Sequence, residues 1–155
     1  MADLGNRRMV TGLGVDGRSR VVIDGAIPQM SDMSAALAWR CAIPADNAGV
    51  DDTVVPYHTD VLHSGPDGKP VANFAICEYA PGTPAYMHAT DTIDFLVVLS
   101  GRVTLVLEDE EADLGPGDFI VDRGGMHGWR NDHNEPCRCA VVNLPALPVG
   151  AGRTI

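Results

Sequence analysis

Two histidines, His88 and His127, are the residues best placed to do chemistry, each set in a glycine-punctuated run of short strands. The first lies in Tyr86-Met87-His88-Ala89-Thr90-Asp91-Thr92-Ile93-Asp94 and the second in Asp122-Arg123-Gly124-Gly125-Met126-His127-Gly128-Trp129-Arg130-Asn131. Residues two apart on a strand face the same way, so Tyr86, His88 and Thr90 share a face, as do His127, Trp129 and Asn131. With both faces turned inward, the histidines approach each other across a small barrel. A bulge between Thr90 and Ile93 would re-aim Asp94 toward them. His88, Asp94 and His127 then form a two-histidine, one-carboxylate set that suits Fe2+, Mn2+ or Zn2+ and leaves positions open for substrate. Without a metal, the same three side chains could move protons, with Tyr86 as a further donor. Thr90, Trp129 and Asn131 would line the substrate pocket, and Asn131 would also order the turn that follows. Arg130 alternates outward.

Each candidate has a plainer role to set beside that chemistry. A histidine on an apolar face often serves as a hydrogen-bonded core residue. Asp94 could tie its turn through Thr90 and Thr92. His58, His63 and His133 sit in polar stretches and read as solvated. Cys41, Cys77, Cys137 and Cys139 show no C-x-x-C spacing and read as small buried hydrophobes. Cys137 and Cys139 share a strand face and are badly placed to bridge each other.

The elements that must position these residues read as strand after short strand from Asn73 onward. Asn73–Ala80, Ile93–Leu99, Arg102–Glu108, Phe119–Val121 and Pro136–Leu144 are rich in Val, Ile, Leu and aromatics. Turn signals separate them at Pro81-Gly82, Ser100-Gly101, Gly115-Pro116-Gly117, Gly124-Gly125 and Asp132-His133-Asn134. That pattern predicts an all-β sandwich or barrel. Ser100-Gly101 reads as a hairpin turn, and the acidic run Glu108–Glu111 reads as an exposed hairpin tip. Upstream, Arg20–Asp24 and Ala38–Ala42 read as strands and Met30–Ala36 as a helical turn or two. The polar stretch Asp46–Lys69 is long enough to fold over the barrel mouth as a lid.

With 155 residues, the chain has the length of one domain. Its net charge of -10 argues against nucleic acid and against anionic membrane surfaces, since polyanions would repel it. There is no apolar run long enough for a membrane helix and no secretory signal near Met1, so a cytoplasmic address is expected.

Together the two runs resemble the cupin superfamily. Gly82, His88, Asp94 and Gly101 follow the first cupin motif in order, and Gly117, Gly124, His127 and Asn131 follow the second with one residue fewer before the turn. The chain departs from the pattern at three places. Thr90 stands where a second histidine is usual, Asp94 replaces the usual Glu, and Asp122-Arg123 stands where a proline is usual. The resemblance implies an all-β cupin (jelly-roll, double-stranded β-helix) barrel with an irregular N-terminal extension. Residues 1–70 would pack on the barrel, 71–147 would form it, and 148–155 would be a tail. It further implies a small-molecule enzyme of catabolic or secondary metabolism, foremost a metal-dependent, dioxygenase-like oxidoreductase. A lyase, isomerase or cyclase with or without metal is the alternative, and a non-catalytic ligand-binding cupin the third. Other cupins also suggest a homodimer, built with the N-terminal strands.

Overall fold

A computed structural model describes residues 6–27, 35–47 and 68–149. Every regular element among them is a strand. In chain order these are β1 Arg7–Leu13, β2 Ser19–Ala26, β3 Ala35–Ala42, β4 Val71–Tyr79 and β5 Thr92–Ser100. They continue with β6 Val103–Leu107, β7 Glu111–Leu114, β8 Phe119–Asp122, β9 His127–Arg130 and β10 Cys137–Pro145. The all-β expectation holds among the described residues. The Met30–Ala36 helical turn does not where it can be seen, because Ala35 and Ala36 already belong to β3 and pair with Cys77 and Ile76. The rest of that stretch lies outside the described residues, as do His58, His63 and most of the proposed lid.

The barrel is two facing sheets. The larger has the order β3-β4-β10-β5-β8 and the smaller β7-β6-β9. A bridge between His88 and His127 adds the segment before β5 to the edge of the smaller sheet. β3 therefore belongs to the barrel sheet itself, while β1 and β2 form a separate hairpin. The chain does turn at Gly101, with φ of 70°, which suits glycine, but this is not the expected hairpin: β5 and β6 lie in different sheets, so the chain crosses from one to the other there. Pro136 and Cys137 backbone atoms crowd the spot where a Cβ would sit.

Alternation decides what faces inward. β5 buries Thr92, Asp94, Leu96 and Val98, and β10 buries Cys137, Cys139, Val141 and Asn143. The register aligns these positions into rows. Leu37, Ala75, Val141, Leu96 and Ile120 form an apolar row across all five strands of the larger sheet. With Val103, Cys137 and Cys139 they make the core, against which Leu105, Leu114 and Trp129 pack. The four cysteines are free, and Cys137 Sγ lies 3.8 Å from Cys139 Sγ.

Candidate active site

One step along the same strands the inward row turns polar. Arg40, Asn73, Asn143, Asp94 and Asp122 are cross-strand partners in order across the larger sheet. Asn73, Asn143 and Asp94 are buried. Asp94 reaches this row by plain alternation along β5, in step with Asn143, so the bulge expected before Ile93 is not what aims it. The bulge that matters is at the other edge. A register shift between Leu37 and Trp39 carries Arg40 onto the face of Asn73.

The histidines face this row from the smaller sheet. His88 and His127 exchange backbone hydrogen bonds in both directions, at 2.8 and 2.9 Å, and their ring centroids lie 4.4 Å apart. Gly128 permits this approach, because a Cβ there would meet Met87 Sδ at 3.0 Å and the Tyr86 carbonyl oxygen at 3.1 Å. Each ring is locked the same way. His88 Nδ1 is 2.8 Å from the Tyr86 carbonyl and His127 Nδ1 is 2.8 Å from the Gly125 carbonyl. A carbonyl can only accept, so both Nδ1 atoms carry hydrogen and both Nε2 atoms are available for chemistry.

The two Nε2 atoms then part company. His127 Nε2 lies 3.0 Å from Asp122 Oδ2 in a buried ion pair. Oδ2 lies off the line of a hydrogen bond, so the contact is one of charge. Asp122 is held by its other oxygen, which accepts the Gly124 backbone N–H at 2.9 Å. Gly124 makes this tight turn with φ of 78°, and a Cβ there would sit 2.3 Å from the Thr90 carbonyl oxygen. Among the described residues, His88 Nε2 has no such carboxylate contact.

Electrostatics follows that division. Burial pulls the His127 pKa down, but contact with Asp122, the Gly125 carbonyl and the charges of Asp122 and Asp94 outweigh it, leaving it above the ordinary imidazole value. His88 falls below that value, first through burial and also through the nearby His127, although Tyr86 and the carboxylates pull the other way. Burial raises the Asp94 carboxyl despite its hydrogen bonds to Asn143 and Thr92. Thr92 Oγ1 in turn donates to Thr90 Oγ1 at 3.0 Å.

The remaining candidates divide between pocket and scaffold. Tyr86 is 71% exposed and stacks on His88 with centroids 5.7 Å apart. Trp129 meets His127 edge-on at 6.2 Å and stacks on Tyr79 at 5.8 Å. Thr90 is buried beneath the histidine turn, its N–H bonded to the Gly124 carbonyl. Asn131 belongs to the scaffold. Its Nδ2 donates to the Tyr79 and Glu135 carbonyls and its Oδ1 accepts from the His133 N–H, so it ties the turn that follows, as expected. His133 pairs with Asp113 at 3.1 Å.

A metal ion needs at least three converging donors. Asp94 Oδ1 and Asp122 Oδ2 are buried without hydrogen-bond partners, the latter in charge contact with His127 Nε2. Even so, no three His, Cys, Asp or Glu among the described residues are placed to share one ion. The expected set of His88, Asp94 and His127 does not fit a metal in this arrangement.

Three residues escaped the sequence reading: Asp122, Asn73 and Asn143. A signal existed for each. Asn143 follows Cys137, Cys139 and Val141 at intervals of two, Asn73 precedes Ala75 and Cys77 likewise, and Asp122 follows Ile120. A polar residue on the buried register of an apolar strand needs a reason to be there.

Residues 75–143 match the Cupin_2 family, described as a cupin domain. Among curated proteins, phomopsin biosynthesis cluster protein C' of Diaporthe leptostromiformis is 42% identical over 76 residues, covering 48% of this chain and 40% of that protein. The cupin-domain-containing oxidoreductase srdB of Neurospora crassa is 36% identical over 74 residues, covering 46% and 38%. The match therefore spans well under half the length of these relatives. Among solved structures, the polyketide cyclase RemF of Streptomyces resistomycificus shares 29% identity over 58% of this chain and 64% of that one, with a TM-score of 0.47.

Proposed function

Since residues 75–143 are a cupin domain, we propose that this protein is an enzyme that moves protons on a small organic molecule, with His127 as acid and His88 as base. The observation that carries this reading is the asymmetry of two adjacent imidazoles whose Nδ1 atoms are anchored alike. Among the described residues, only His127 has a carboxylate against its Nε2. A cationic His127 beside a neutral His88 is an acid and a base within one substrate's reach.

On a carbonyl compound, His88 Nε2 would take the proton from the carbon next to the carbonyl. His127 would give its Nε2 proton to the carbonyl oxygen, leaving an enol. Returning the proton from His88 at another carbon isomerises the substrate, and giving it to a departing β-hydroxyl, which leaves as water, dehydrates it; in both, His127 Nε2 takes back the enol proton as the carbonyl re-forms. Asp122 is a positioning residue here, since it acts by holding His127 charged. Trp129 and Tyr86 supply apolar walls.

The test needs no knowledge of the net reaction. Purified protein is incubated in D2O with a panel of ketoacids, β-diketones and β-hydroxyketones, and exchange at the α-carbon is followed by NMR. Exchange that disappears in His88→Ala and in His127→Ala is the expected result. Exchange equal in wild type and both variants would sink the reading, and so would ligand binding without exchange.

A second reading, oxidoreductase, is supported by the names of two relatives, srdB of Neurospora crassa and fogC of Aspergillus ruber, each a cupin-domain-containing oxidoreductase. It predicts substrate conversion that stops when oxygen is removed, where proton transfer would continue. Either chemistry would belong to small-molecule metabolism, which fits relatives named for phomopsin and oryzine biosynthesis clusters.

A further inference from the structure

The polar row on the inner face of the larger sheet carries opposite charge at its two ends. Arg40 stands at the β3 end, Asp94 and Asp122 stand on β5 and β8, and Asn73 and Asn143 lie between. The histidine pair belongs to the acidic end, where His127 Nε2 meets Asp122.

Arg40 owes its place to the bulge in β3. Up to Leu37 the strand pairs with β4 in simple register, and kept to that register Arg40 would stand opposite Ala72, on the outer face with the exposed Phe74. Ala38 is the extra residue that prevents this, bringing Trp39 opposite Phe74 and Arg40 opposite the buried Asn73. The Ala38 carbonyl accepts a hydrogen bond from Arg8 Nη1 at 3.0 Å, so the β1–β2 hairpin holds the bulge. Bulges beside a site re-aim side chains, and the side chain re-aimed here is a guanidinium.

We propose that Arg40 clamps a carboxylate of the substrate, and that the substrate is a keto acid whose carboxylate lies several bonds from its reacting carbonyl. The proposal rests on the proton-transfer reading for what happens at the carbonyl and adds the chemistry of the substrate's other end. A guanidinium is a planar fork of donors that matches a carboxylate with two parallel hydrogen bonds.

Charge decides which way the substrate lies. A carboxylate placed at the histidine end would face Asp94 and Asp122, and like charges in a buried site repel strongly. At the β3 end it meets Arg40. Neutralising Asp94 does not account for the arginine, because after burial the groups that act most on that carboxyl are Asn143, Thr92, Asp122 and His127.

Distance decides the length. Arg40 and Asp94 are three strands apart, about 14 Å measured along the sheet at ~4.8 Å per strand, and less across the curve of the barrel. The long arginine side chain crosses part of that span and the substrate crosses the rest. A keto acid with its carboxylate next to its carbonyl is too short to reach both ends.

The probes are 6-oxoheptanoate, its methyl ester and 2-oxoheptanoate, with binding read by calorimetry and exchange beside the ketone read by NMR in D2O. Wild type is expected to bind 6-oxoheptanoate roughly 10–100-fold more tightly than the ester, the size of a charge-assisted hydrogen bond. It is expected to bind 2-oxoheptanoate no better than the ester. Arg40→Gln, with its fold checked by circular dichroism, should bring the acid down to the ester and raise KM for exchange far more than it lowers kcat. Arg40→Lys should keep part of the preference, since lysine carries the charge without the fork. Acid and ester bound alike by wild type overturns the proposal, and that result needs no variant to fold. A preference for the acid that survives in Arg40→Gln overturns it too, as does 2-oxoheptanoate bound as tightly as 6-oxoheptanoate. An Arg40-dependent preference without exchange in wild type supports the clamp and removes the proton-transfer reading alone.

Discussion

The two ends of the barrel interior are built by the same strands and do opposite work. On β4, β10, β5 and β8, one inward row reads Ala75, Val141, Leu96, Ile120, and the adjoining row reads Asn73, Asn143, Asp94, Asp122. A single side-chain repeat, about 7 Å along a strand, separates hydrocarbon from carboxylate. At the apolar end, stability comes from area removed from water. At the polar end, buried groups are held against their desolvation cost by hydrogen bonds and by one ion pair, and two carboxylate oxygens remain without hydrogen-bond partners. The first end holds the strands in register; the second uses that register to bring His127 and Asp122 together.

The sharpest test of that division is Leu96→Ala. Removing a buried leucine should cost about 2–5 kcal/mol by denaturant unfolding, while activity per folded molecule changes little. Equal damage to both would mean the two rows are not separable.

Asp122→Asn is the converse. It should lower turnover about 100-fold, the low end for loss of acid–base function, with unfolding stability changed far less. NMR titration of the His127 ring should then show its midpoint falling, since the Asp122 carboxylate is what opposes burial. An unchanged midpoint would remove Asp122 from the site.

Gly124→Ala should lie between the two. Its positive φ and the Cβ clash with the Thr90 carbonyl predict a cost of roughly 1–3 kcal/mol, together with loss of activity as the Asp122 turn opens. Thermal melts and turnover measured on one preparation would show both effects.

The smallest effect is in the pH dependence of stability, where the histidines have opposite signs. His127 has a raised pKa, so its contribution is fully present below the unfolded value near 6.5 and is lost as pH rises through the folded value. His88 has a lowered pKa, so it costs stability as pH falls below about 6.5 through its folded value. Asp94, also raised, begins to cost stability as pH climbs above its unfolded value near 3.8, until the folded value is passed. His127→Gln should therefore flatten the alkaline side of a melting-temperature profile around neutrality and His88→Gln the acid side. The same flattening from both would erase the asymmetry.

Much of the barrel was legible from periodicity. Strands β4, β5, β6, β8 and β10 overlap the stretches rich in Val, Ile and aromatics, because alternation between a packed and an open face leaves a period of two. β9 was read from its histidine face, and the acidic hairpin tip at Glu108–Glu111 was visible as turn chemistry, though Glu111 already belongs to β7; the turn at Gly101 was visible too, but it switches sheets and does not close a hairpin. His88 and His127 were expected to approach each other across the barrel; they meet instead as bridged neighbours at the edge of the smaller sheet. The start of β3 was misread because Met30–Ala36 carries alanines that favour helix, and the pairing of Ala35 and Ala36 with β4 overrides so weak a preference. Asn131 was expected to order the turn that follows, and it does, since β9 ends at Arg130 and the chain turns there.

From its residues alone, then, the chain determines an all-β barrel, its pair of histidines and a net charge of -10. These follow from local alternation and composition, which one strand carries by itself. Which carboxylate meets His127 was decided by tertiary structure. Asp94 and Asp122 are equally acidic in sequence, and the choice rests on the pairing of β5 with β8 and on the Gly124 turn that bends the chain back. Contacts of that kind belong to the register between strands, and no single strand records it.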